Sequence, residues 1–132
     1  MPYSGSCLCG ETKIEVSSTH NAQIACHCTD CRQTSGSSNS TNILPLQSDV
    51  QITGAVKEYN SKAASGNTVT RIFCSNCGCA MAHKSKVFGD KMAVQTGTLP
   101  DFATIPFEAE LFCKSKFTGL GPFPNAAQKD TM

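Results

Sequence analysis

Short apolar–polar alternations recur along this chain, and none of them extends to helix length. Thr12 to Val16 alternates with Ile14 and Val16 on one side. Thr68 to Phe73 is rich in branched and aromatic residues and runs directly into Cys74. Lys91 to Thr96 puts Met92, Val94 and Thr96 on one face, and the apolar-rich run Phe107 to Phe112 ends at Cys113. Runs of this kind, separated by Gly, Pro, Asn and Ser, predict β-strands. Gln51 to Thr53 and Val56 to Tyr59 flank Gly54 and predict a hairpin. Helix signals reduce to single turns at Thr29 to Gln33 and Leu99 to Phe102. The polar stretch TSGSSNSTN, Thr34 to Asn42, predicts a solvated loop. Its place directly after Cys31 also suits a mobile wall beside a binding site. The expected class is mainly β: small sheets with few short helices.

Length and composition narrow this picture. The chain of 132 residues matches a single domain of about 100–150 residues. Residues 119–132, with two prolines and several polar residues, predict a loosely packed tail draped over the surface. Apolar residues are 39% and charged residues 16%, which argues against disorder. A net charge of +1 argues against a nucleic-acid partner. No apolar stretch approaches the ~20 residues of a membrane span, and MPYSGSCLCGETKIEV lacks the basic-then-apolar order of a secretory signal. The expectation is a cytoplasmic protein, with the nucleus also open to it, and composition sets no oligomeric state.

The nine cysteines change the picture most. An odd number without a secretory signal argues against a disulfide framework and for metal binding or thiol chemistry. They cluster as Cys7 and Cys9; Cys26, Cys28 and Cys31; Cys74, Cys77 and Cys79, with Cys113 alone. Cys74-Ser75-Asn76-Cys77-Gly78 reads as a zinc knuckle, in which one tight turn presents two sulfurs to one ion. Cys7-Leu8-Cys9 complements it, since extended backbone points both sulfurs one way and leaves Leu8 to pack on the other. Cys7, Cys9, Cys74 and Cys77 then form a tetrahedral set for a structural zinc, which contributes to folding directly.

Cys26, Cys28 and Cys31 remain. Their spacing makes a compact tripod, and three protein ligands with one exchangeable position is the usual form of a catalytic zinc. An open tripod ranks first, closure by Cys79 second, and a histidine such as His83 third; Cys113 has no spacing argument, and His27, flanked by ligands, points away. Three thiolates leave the ion with a formal charge of −1, a weak Lewis acid better suited to a soft thiol than to activating water.

GSCLCG, CHCTDCRQTSG, FCSNCG and VQTGTLPD together resemble the glutathione-dependent formaldehyde-activating enzyme family, which includes centromere protein V. The motifs span residues 5–101. The resemblance implies a tent-like arrangement of small β-sheets stabilised by two zinc ions per chain. It implies a structural zinc on Cys7, Cys9, Cys74 and Cys77 and a catalytic zinc on Cys26, Cys28 and Cys31. It implies a carbon–sulfur lyase that joins glutathione to formaldehyde as S-(hydroxymethyl)glutathione. The chain departs from the family in having no tryptophan near its C-terminal end, where Phe117 lies, and in carrying Cys79 and Cys113 beyond the seven.

With glutathione as partner, Arg32 and Gln33, directly after the tripod, become candidates for binding the thiol substrate, Arg32 through a carboxylate. Solvation on the surface is the plainer account of both. His83 is a candidate proton donor, with a structural histidine as its plain alternative. His20 reads as a loop residue, Lys84, Lys86 and Lys91 as a solvated face, and Met81, Met92, Tyr59 and Phe73 as core. The alternative to an enzyme is a non-catalytic zinc module for protein contacts or glutathione carriage, and the fourth ligand of the tripod separates the two. Elemental analysis of the fully loaded protein is expected to find two zinc ions per chain, and Cys28→Ala to lose one with the fold intact. A single ion in the loaded wild type refutes the two-site model.

Overall fold

The computed structural model describes residues 3–132. Three strands, β1 (Tyr3–Ser6), β2 (Thr12–Val16) and β5 (Val50–Gly54), form an antiparallel sheet in the order β1-β2-β5. The second sheet is built from β3 (Gln23–Cys26), β4 (Ser40–Ile43), β6 (Val56–Lys62), β7 (Thr68–Cys74), β8 (Ala80–Ser85), β9 (Ala93–Gln95), β10 (Phe107–Leu111) and β11 (Ala127–Gln128). Its order is β11-β10-β3-β4-β9-β8-β7-β6. One helix, α1 (Thr29–Ser35), follows β3, and the turn predicted at Leu99 to Phe102 is a 3-10 helix over Pro100–Thr104. The chain is mainly β.

The strand alternations place the core. In β2, Thr12, Ile14 and Val16 are buried while Lys13 and Glu15 are exposed. Ile14 and Val16 pack with Ile43, Ile72, Met81, Met92, Val94, Leu99 and Phe102 in one apolar cluster joining the two sheets. Each such side chain contributes roughly 1.5–3 kcal/mol on burial.

Several local expectations are corrected. The hairpin around Gly54 does not form: β5 pairs with β2 in one sheet and β6 with β7 in the other. Gly54 marks the crossing; its φ is +96°, and a Cβ there would lie 2.0 Å from the Glu11 carbonyl oxygen. That approach excludes any side chain. The polar stretch 34–42 is mostly ordered. Thr34 and Ser35 extend α1, which Gly36 ends in the left-handed region. Ser40–Ile43 becomes β4, between β3 and β9, with Ser40 and Asn42 buried. The neighbouring strands take up its backbone groups, and Asn42 Nδ2 donates to Ser40 Oγ at 2.9 Å, which offsets part of the cost of burying the two side chains. In β9, Ala93 is buried along with Val94, because both faces are covered. Tyr59 is 64% exposed rather than core, since β6 is the sheet's edge. Leu8 is 91% exposed and packs on nothing.

The C-terminal segment is tied down by its backbone while its side chains stay largely exposed. β11 runs parallel to β10, Lys129 N donates to Glu110 O at 2.9 Å and Cys113 N to Lys129 O at 2.9 Å. Beneath it lies Glu110, fully buried. Its carboxylate accepts from His27 Nε2, Lys116 Nζ and Phe123 N, each at 2.8 Å, and from Gln128 Nε2. Burial works to raise this carboxyl, but the Lys116 ammonium and the other donors overcome it and bring it down to about 2. The network fixes His27 pointing away from the neighbouring sulfurs and clasps the tail to β10.

Removing the Glu110 charge strands buried donors, so Glu110→Gln is expected to lower stability by about 3–5 kcal/mol at neutral pH. A carboxyl with a depressed folded-state pKa contributes fully above its ordinary unfolded value and loses that contribution as pH falls toward about 2. Denaturant titrations should therefore show the gap between wild type and Glu110→Gln narrowing steadily below the ordinary carboxyl range. A gap that stays constant with pH counts against the network's ionised form.

Candidate functional site

Two turns build the first cysteine group. Cys7 and Cys9 lie between β1 and β2; Cys74 ends β7, and Cys77 lies in the turn between β7 and β8. The sulfurs of Cys7 and Cys9 are 3.6 Å apart and those of Cys9 and Cys74 are 3.7 Å apart. Thr12 N donates to Cys7 Sγ at 3.2 Å, and Asn76 N and Cys77 N donate to Cys74 Sγ at 3.4 Å. Gly78, at φ +78°, closes the second turn by donating to the Cys74 carbonyl at 2.9 Å. Burial tends to raise the Cys7 thiol, but the Thr12 N–H and the sulfurs of Cys9, Cys74 and Cys77 bring it down to about 6. All four sulfurs lie within 4.8 Å of one another.

The second group forms where β3 passes into α1. Cys26 ends the strand, Cys28 is the N-cap, and Cys31 sits in the first turn. Cys31 N donates to Cys28 Sγ at 3.4 Å. The three sulfurs lie within 4.8 Å of one another, and no fourth His, Cys, Asp or Glu among the described residues joins them. Hydrogen bonds from Cys26 and Cys31, with smaller help from the Cys31 N–H and the Arg71 charge, hold the Cys28 thiol far down despite burial. The same sulfur–sulfur contacts and burial push Cys26 up. An all-sulfur donor set braced by backbone N–H groups fits a soft or borderline metal ion in both groups.

The three-sulfur group opens on a cavity of about 480 Å³, within the range of ligand sites. Its walls include Ile24, Leu44, Val69, Phe88 and Ala93, and the polar residues Asn42, Arg71 and His83. Arg71 and His83 are directly paired across β7 and β8, and both also line a smaller cavity of about 290 Å³. Burial, and then the Arg71 charge, lower His83 to about 4, so the ring is neutral at physiological pH. His83 Nδ1 lies 2.9 Å from Gln95 Oε1 and donates to it, leaving the lone pair on Nε2.

The other candidates fall elsewhere. The Arg32 guanidinium sits 5.2 Å over the Phe117 ring, a cation–π contact, and neither Arg32 nor the exposed Gln33 is on the wall of the large cavity. Cys79 packs against the apolar core and Cys113 Sγ donates to Glu110 O at 3.5 Å; neither belongs to a sulfur group. Asn42 entered the sequence reading only as the end of the polar stretch after Cys31, and Arg71 and Gln95 did not enter it as site residues. Arg71 alone left a signal, as the one charge inside the branched run TVTRIFC.

The model of the glutathione-dependent formaldehyde-activating enzyme family matches residues 2–115. The chain belongs to this family. Its fold is similar to that of a Rhodobacter sphaeroides protein, a Northeast Structural Genomics target solved by crystallography. The TM-score is 0.60 at 20% sequence identity, covering 79% of this chain and 98% of that one. No curated protein matches the chain. No helix among the described residues is long and apolar enough to cross a membrane.

The four-sulfur group joins turns from both sheets, whereas the three-sulfur group is assembled within one short segment. Cys74→Ala is therefore expected to lower the thermal unfolding midpoint of the metal-loaded protein much further than Cys28→Ala. Equal shifts in the two melts would show that the four-sulfur group is not the structural one.

Proposed function

We propose that this protein is a zinc-dependent carbon–sulfur lyase that joins a thiol of the glutathione class to formaldehyde or a related aldehyde. In this reading Cys7, Cys9, Cys74 and Cys77 hold a structural zinc, and Cys26, Cys28 and Cys31 hold a catalytic one. The observation that carries it is the three-sulfur group, which no fourth His, Cys, Asp or Glu among the described residues joins, facing a cavity of ligand size. A non-catalytic module would close that position with protein.

Zinc held by the three cysteines would supply, when bound, a soft ion with a free position that favours the thiolate form of an incoming thiol. The chain's own residues do the rest. The neutral His83, held by Gln95, offers Nε2 to take the thiol proton. The sulfur's electron pair forms the carbon–sulfur bond while the carbonyl π pair moves onto oxygen. The proton held at His83 passes to that oxygen, giving the hydroxymethyl thioether, and the reverse path cleaves it. The apolar walls around Ile24, Leu44 and Val69 limit water's competition for the aldehyde.

Carbon-13 NMR with labelled formaldehyde and glutathione measures how fast the adduct and its parts exchange. The loaded protein is expected to speed this exchange over a protein-free blank, Cys31→Ala to abolish the gain, and His83→Gln to cut it by about 10²-fold or more at full metal content. Exchange no faster than the blank removes the lyase reading.

A further inference from the structure

Two buried polar atoms on the wall of the large cavity have no partner among the described residues: Nε of Arg71 and Oδ1 of Asn42. They are opposite in kind. Nε is a donor on a fixed cation, and Oδ1 is an acceptor on a neutral amide. Native structures seldom leave such atoms without a partner, and an unmet buried group of this sort costs about 1–3 kcal/mol. Both stand on the wall that holds Cys26, Cys28 and Cys31.

Arg71 is half-buried and has no ion pair. The ion pairs among the described residues, His27 with Glu110 and Lys116 with Glu110, both lie elsewhere. Its charge acts on Cys28 and His83 at a distance, but no hydrogen bond ties its N–H fork to either. The other cation of the cavity wall, Lys114, is exposed and so already solvated. Arg71 therefore presents a partly desolvated guanidinium with its fork free, the group that best matches a planar carboxylate. A carboxylate needs such a countercharge here, because three thiolates around a divalent ion leave the site net negative. Asn42 is 3% exposed, and its Nδ2 is held by Ser40 Oγ at 2.9 Å. That bond fixes Oδ1 as a ready acceptor for an N–H.

We propose that Arg71 and Asn42 are the specificity residues of this cavity, Arg71 receiving a carboxylate and Asn42 an amide N–H, so that the site selects an acidic, peptide-like thiol over a simple neutral one. This rests on the reading that a thiol substrate occupies the cavity. The three recognised features are then a sulfur at the cysteine tripod, an anion at Arg71 and a peptide donor at Asn42. Arg32, engaged with Phe117, is not needed for the anion.

Calorimetric binding to the metal-loaded protein tests this without any bond-making step. The probes are S-methylglutathione, whose sulfur is blocked, and its dimethyl ester. The acid is expected to bind wild type about 10- to 100-fold tighter than the ester. Arg71→Met should erase that difference, and Arg71→Lys should keep only part of it, since an ammonium lacks the fork. Asn42→Leu should weaken acid and ester alike by about 5- to 10-fold while leaving the melting temperature unchanged or raised, which a purely structural amide would not do. Equal binding of acid and ester by wild type overturns the proposal without recourse to any variant. So does an Arg71→Met that weakens both probes equally, or an Asn42→Leu that binds as wild type does. Discrimination that persists without aldehyde turnover removes the lyase reading and keeps the site. Turnover without discrimination does the reverse.

Discussion

Gathering thiolates is the constraint on which this structure depends. Seven sulfurs stand in two groups, each with all members within 4.8 Å, and once ionised they repel one another. Backbone N–H groups from Thr12, Asn76, Cys77 and Cys31 offset part of that repulsion, and a cation, which either group could hold, would offset the remainder. The four-sulfur group converts this local problem into architecture. Its turns come from different sheets, so whatever holds the sulfurs together also holds the β1–β2 corner against the β7–β8 corner. The apolar cluster around Ile14, Met81 and Leu99 lies between those sheets and shares the task.

The three-sulfur group answers a different demand. It is held within six residues, from the end of β3 to the first turn of α1, and gains its rigidity from what surrounds it. His27, between two of the sulfurs, is turned away and anchored to Glu110, whose other contacts clasp the C-terminal segment against β10. A fully buried carboxylate is tolerated there because four donors converge on it. The outcome is a group of three sulfurs that no fourth His, Cys, Asp or Glu joins among the described residues, on the wall of a cavity that also holds the neutral His83 and Arg71.

That placement gives the cavity its chemical character. Arg71 and His83 are cross-strand neighbours, so one row of the sheet brings a fixed positive charge and a proton-accepting ring to the same wall. Their separation in sequence is irrelevant to this; only the antiparallel register of β7 and β8 matters. Asn42 arrives from β4, reached through β9. The site is thus a meeting of one cysteine-bearing segment with three strands of a single sheet.

What the sequence determined by itself is local. The spacings C-x-C and C-x-x-C define which sulfurs can share an ion, and the alternation in TKIEV defines a strand and its buried face, because both depend only on backbone geometry over a few residues. The same holds for the short helix after Cys28. Tertiary structure decided the rest. It split the residues around Gly54 between two sheets instead of folding them into a hairpin, since β5 pairs with β2 and β6 with β7. It turned the polar run after Ser38 into the interior strand β4, because β3 and β9 pair with its backbone on either side. It left Tyr59 on an open edge and Arg32 over Phe117, and brought Arg71 to the sulfurs instead. Such outcomes depend on which strands become neighbours, a long-range choice that no window of a few residues contains.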